Sequence, residues 1–138
     1  MTGGVLLDTC ALLWIAADQR VRPEALDSLD EAYAAGAPVC ASPISAWEIG
    51  MLAARGRVVL TASPRAWFAQ ATSRPGMSLC GLDPDVLIDA SYLPGDPPND
   101  PGDRILLSTA RAAGYRIMTR DRRILAYAEA GHVAAIAC

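Results

Sequence analysis

Apolar residues in this chain fall into two kinds of run. Short, largely apolar runs at residues 4–8, 38–41, 77–81, 115–119 and 132–137 have the length and the turn-rich flanks of buried strands. Between them, apolar residues recur at three- and four-residue steps, which predicts helices over about 10–17, 24–35, 44–55, 65–72, 85–92, 103–113 and 124–130. Leu26, Leu29 and Tyr33 are spaced for one helix face, Ile44, Trp47, Met51 and Leu52 for a second, and Ile105, Leu106, Thr109 and Ala113 for a third. Arg57–Leu60 reads as a brief extended piece.

Punctuation agrees with the periodicity. Ser42-Pro43 and Ser63-Pro64 pair a capping hydroxyl with a proline suited to the first helical turn. Gly36, Gly56 and Gly114 stand where helices end. Leu93 to Gly102 holds four prolines and two glycines in ten residues, so it is a loop. Strands alternating with helices imply an α/β fold, with helices on both sides of a mainly parallel sheet. Right-handed crossovers then bring the carboxyl ends of the strands to one edge. The length of 138 residues fits one domain, 1–138, without repeats.

Some apolar runs stop on a carboxylate, and strand packing gives no reason for one. Asp8 ends the first strand; Asp121 follows the strand 115–119. Open α/β sheets place ligands beyond these carboxyl ends. Glu48 lies on or beside the apolar stripe of its helix, where a lone glutamate needs a partner. Asp103 opens the helix after the Pro/Gly loop, with Asp100 just before it. Gathered together, Asp8, Glu48, Asp103 and Asp121 would repel one another. A hard divalent cation, Mg²⁺ or Mn²⁺, relieves that repulsion and suits all-oxygen ligands. Plainer roles stand beside this one. Asp103 also suits a helix N-terminus electrostatically, Asp121 and Asp100 suit caps, and Thr9 and Thr119 either support the neighbouring acids or cap turns.

Composition narrows the chemistry. The net charge is -3, and all twelve basic residues are arginine, so a lysine-dependent mechanism is excluded. Cys10, Cys40, Cys80 and Cys138 lack zinc-type spacing and read as reduced thiols. The single histidine, His132, reads as structural and leaves no Ser-His or Cys-His pair. No apolar run approaches the ~20 residues of a membrane span. The N-terminus lacks the pattern of a signal peptide, so a cytoplasmic protein is expected. Arg104, Arg120, Arg122 and Arg123 flank the acids, and arginine suits phosphate geometry.

Four stretches, Leu6–Trp14, Ser42–Gly50, Asp100–Leu106 and Thr119–Asp121, together resemble the PIN-domain family, and within it the VapC-type toxin ribonucleases. The resemblance implies a PIN-like three-layer α/β/α domain. It implies an acidic site of Asp8, Glu48, Asp103 and Asp121, with the metal on Asp8, Asp103 and Asp121 and Asp100 nearby. It further implies RNA cleavage with Mg²⁺ or Mn²⁺, a homodimer, and inhibition by a small VapB-like antitoxin. Two positions depart from the family pattern. Gly102 stands where a bulky aromatic is common, and Asn99 where a basic residue is common. The competing readings are a non-catalytic RNA-binding or antitoxin-binding module, and aspartate-based phosphoryl transfer. The second is disfavoured by the missing lysine and by Cys10, which stands where a second aspartate would be needed.

Overall fold

The structure is a computed structural model describing residues 3–138; the first two residues of the expected 1–138 domain lie outside the described residues. Strand β1 (Val5–Leu7) sits at the centre of a five-stranded sheet, its three side chains at most 1% exposed. Its neighbours are β2 (Val39–Ala41) and β4 (Arg116–Thr119); β3 (Met77–Leu79) and β5 (Ala134–Ala137) form the edges. The order is β3-β2-β1-β4-β5 and every pairing is parallel, with Val5 opposite both Val39 and Arg116. The sheet is thus wholly parallel, where the sequence predicts only a parallel majority.

Alternation along β1 divides the core. Val5 and Leu7 pack with helices α1 (Thr9–Ala16), α2 (Pro23–Ala34), α3 (Pro43–Ala54) and α4 (Pro64–Thr72) through Leu12, Ala25, Ala32, Ile49 and Trp67. Leu6 faces the other way, towards α6 (Pro101–Ala113) and α7 (Arg122–Glu129), through Leu106, Leu107, Ala110, Ile124 and Tyr127. Each large side chain removed from water in these layers stabilises the fold by roughly 2 kcal/mol. The result is a helix–sheet–helix sandwich. Helix α5 (Pro84–Asp89) contributes no buried residue.

Three expected helix faces need correction. Helix α2 turns Ala25 and Ala32 to the core, leaving Leu26 46% and Tyr33 64% exposed. Helix α3 buries Ser45 and Ile49 and leaves Trp47 60% exposed. Helix α6 buries Leu106 and Thr109 as expected, together with Gly102, Leu107, Ser108 and Ala110, and leaves only Ala113 of the expected stripe exposed. In α2 and α3, small residues let the helix backbone approach the layer beneath, so the bulkier neighbours are turned outward. The expected extended piece at 57–60 forms no strand.

The chain leaves β1 towards β2 and β3, then returns across the sheet to β4 on the other side of β1. This reversal makes the gap between β1 and β4 the switch point where α/β sheets hold ligands. No helix among the described residues is long and apolar enough to cross a membrane.

Candidate active site

Asp8 follows β1 and caps α1: its Oδ1 accepts from the Ala11 N–H at 2.8 Å. Its Oδ2 accepts from Thr119 Oγ1, at the end of β4, at 2.5 Å. The carboxyl is only 6% exposed. Burial raises its pKa, the bonds from Thr119 and Ala11 oppose that rise, and Asp121 adds to it.

Asp121 follows β4 in the same way. Its Oδ1 caps α7, accepting from the backbone N–H groups of Arg123 and Ile124 at 2.8 and 3.1 Å. Its own N–H donates to Thr119 Oγ1 at 3.0 Å. One buried hydroxyl therefore ties the two strand-end acids together. The cap uses Oδ1 alone, so it leaves Oδ2 uncommitted and does not exclude a site role for Asp121.

Glu48 reaches the same place from α3. Thr9 Oγ1 donates to its Oε1 at 2.6 Å and lies 2.9 Å from Ser45 Oγ, one turn earlier on α3. Burial raises the Glu48 pKa, Thr9 lowers it, and the charges of Asp100 and Asp8 raise it further. Asp103 comes from the first turn of α6 and is pushed up to about 7, first by burial, then by Asp100, Asp121, Glu48 and Asp8. Asp100 is the N-cap of α6; its Oδ2 accepts from the Asp103 N–H at 3.0 Å.

Asp8, Glu48, Asp103 and Asp121 line one cleft of about 440 Å³, walled on its apolar side by Trp14, Met51 and Leu52. Asp100 is not part of that lining. Cys10 opens into the same cleft and senses all four charges: burial, then Asp8, Glu48, Asp103 and Asp121, push its thiol up to about 11. It is therefore a poor nucleophile near neutral pH.

Among the described residues, no three carboxylate, thiol or imidazole groups are gathered tightly enough to hold an ion unaided. Each of three acids is drawn aside by a neighbour: Asp8 by Thr119, Glu48 by Thr9, Asp121 by the α7 N-terminus. The donor chemistry nevertheless fits Mg²⁺, which keeps several waters and takes only one or two carboxylates directly. The mutual repulsion recorded at Asp103 is the charge such an ion would offset.

The arginines divide. Arg104 is not available to phosphate as the sequence suggests. Its Nε, Nη1 and Nη2 donate to the carbonyls of Ala90, Pro98 and Ser91 at 2.9, 3.1 and 3.4 Å, strapping the Pro/Gly loop to α6. Arg120 lines the cleft but lies flat on Trp14, 3.7 Å from the ring centroid, with Nη2 donating to the carbonyls of Arg20 and Cys138. Arg122 and Arg123 are exposed at the start of α7. His132 stacks on Tyr127 at 4.7 Å, away from the cleft.

Sequence reasoning missed Ser45, which is fully buried beneath Thr9, and Gly102, whose Cα lies against the Glu48 carboxylate. The expected helix starts at 103, which leaves Gly102 in the loop and takes away the packing signal that a glycine inside a helix would give. Ser45 carries no such signal.

A parallel sheet with carboxylates gathered at the ends of its two central strands defines a class, and the chain matches the PIN domain over residues 5–130; it belongs to the PIN-domain family. Among named relatives, Ribonuclease VapC22 of Mycobacterium tuberculosis is 32% identical over 121 residues, covering 87% of this chain and 88% of the relative. The fold is shared with VapBC2 of Rickettsia felis bound to a promoter DNA fragment, at TM-score 0.68 and 10% identity, covering 97% of this chain and 98% of that one. It is shared too with a toxin–antitoxin complex from Klebsiella pneumoniae, at TM-score 0.56 and 20% identity, covering 87% of this chain and 89% of that one.

Proposed function

We propose that this protein is a metal-dependent endoribonuclease, the toxin of a VapBC-type pair, cleaving RNA phosphodiesters with Mg²⁺ or Mn²⁺. The observation that carries the reading is the meeting of four carboxylates in one cleft at the sheet's switch point. The 32% identity to a protein named as a ribonuclease supports the reaction class. Asp8, Asp103 and Asp121 are the residues that would hold the cation. When bound, it supplies an activated water and offsets charge on the phosphodiester. Asp8 is oriented by Thr119 and Ala11 and stays fixed with the sheet. Glu48 is oriented through Oε1 by Thr9, leaving Oε2 to take or return a proton. Arg122 and Arg123 hold RNA phosphates, and the flat face of Arg120 is presented to the substrate from the cleft wall.

A small VapB-like antitoxin and a second copy of the chain are the proposed partners. The solved complexes that share this fold support the first. Trp47 and Val59, 60% and 94% exposed, offer apolar surface for such a partner, whereas Trp67 belongs to the core. The cytoplasm is the proposed location.

Asp8→Asn decides the matter. Asparagine keeps the helix cap. It removes the central negative charge, and loss of several kcal/mol of metal-borne stabilisation should lower cleavage by about 100-fold or more, with circular dichroism and RNA binding retained. Wild-type protein that cleaves no RNA with either cation, or an Asp8→Asn variant as active as wild type, would sink the proposal.

A further inference from the structure

We infer that Gly102 is a positioning residue for Glu48: the bare Cα of the glycine is the seat of the Glu48 carboxylate. The inference rests on the acidic-site reading above and deepens it. Gly102 is buried in the first turn of α6, between the helix's first residue, Pro101, and Asp103. Its φ lies outside the left-handed region that favours glycine. Glycine is also the poorest helix former after proline, so neither conformation nor propensity calls for it there.

Space does. A Cβ on Gly102 would stand 2.6 Å from Glu48 Oε2, 2.9 Å from Cδ and 3.2 Å from Oε1. All three are closer than ordinary carbon–carbon or carbon–oxygen contact allows. The carboxylate is held at its far side as well, because Thr9 Oγ1 donates to Oε1 at 2.6 Å and Thr9 is itself 2.9 Å from Ser45 Oγ. Glu48 is thus clamped between the Thr9 hydroxyl and the Gly102 Cα. A single methyl group at position 102 evicts the carboxylate from that clamp and takes it off the cleft.

The clamp is tested by a thermal-stability cycle, in chelator and without RNA, on wild type, Gly102→Ala, Glu48→Ala and the double variant. With Glu48 trimmed, Gly102→Ala replaces a poor helix former by the best one and should raise Tm by about 3 °C. With Glu48 intact, that gain should vanish or reverse. Equal gains in both backgrounds would overturn the inference. If Glu48→Ala does not fold, Glu48→Asp serves as the second background, since its shorter side chain also clears the seat. Two further readouts separate positioning from general structure. Gly102→Ala should lower RNA cleavage about tenfold. Glu48→Asp added to Gly102→Ala should recover part of the cleavage that Gly102→Ala loses. Wild-type activity in Gly102→Ala, or no recovery in the pair, counts against the clamp. If the wild type cleaves no RNA, the stability cycle still decides the geometry, and only the proposed function fails.

Discussion

Thr119 is a small residue with two obligations. Its hydroxyl donates to Asp8 Oδ2 and accepts from the Asp121 N–H, and the residue is fully buried. Thr119→Val preserves shape and removes both bonds, leaving a buried carboxylate short of a donor. The expected cost is about 2–3 kcal/mol in urea unfolding, with a large loss of cleavage, while Thr119→Ser should stay near wild type. A Thr119→Val protein as stable as wild type would show that the hydroxyl orients nothing. Asp103 makes a prediction about pH. Its pKa rises on folding from 3.8 to about 7, so between those values the folded state binds more protons than the unfolded one. The associated stability is complete below about 3.8 and is lost as pH rises through about 7. In chelator, wild-type Tm should therefore fall between pH 5 and pH 8, and Asp103→Asn should flatten that fall. A wild-type Tm that climbs over this range would contradict the crowding of charge around Asp103.

At the scale of elements, the strands were readable because each is a short, largely apolar run, with β1 and β2 buried throughout and the edge strands β3 and β5 partly exposed. The helix faces of α2 and α3 were not. A pattern read from bulky residues picks Leu26, Tyr33 and Trp47, yet the chain packs through Ala25, Ala32 and Ser45, where small side chains permit close approach. Exposure of the larger residues then has to be explained by a partner or by nothing. Asp8 and Asp121 stood out because a carboxylate at a strand end breaks the packing rule, and Glu48 because it lies beside an apolar helix stripe. The use of Arg104 did not, since it depends on carbonyls of Ala90, Ser91 and Pro98 that no local pattern marks as acceptors. Arg104→Ala should cost about 1–3 kcal/mol of stability, seen in denaturant midpoints, and leave the salt slope of RNA binding unchanged. A shallower slope would return Arg104 to the phosphate-binding set.

At the scale of the molecule, an excess of acids has to coexist with the polyanionic substrate proposed above. The net charge of -3 matters less than placement: Arg122 and Arg123 are exposed and follow Asp121 directly in the chain, although neither lines the cleft. Replacing both with alanine should weaken binding of single-stranded RNA and reduce the slope of log K against log salt by about 1.4, or 0.7 for each phosphate no longer neutralised. An unchanged slope would place the phosphates elsewhere.

The hydrogen bond from the Asp8 N–H to the Met118 carbonyl, 3.0 Å long, joins the ends of the two innermost strands. It opens only when the centre of the sheet opens. Deuterium should therefore reach the Asp8 amide at the rate of global unfolding, among the slowest in the protein. Nuclease activity should then be lost at the same denaturant concentration as the fold, with no inactive but folded state before it. Asp8 and Asp121 follow on from the innermost strands, so melting elsewhere in the chain does not move these two acids while the sheet stands.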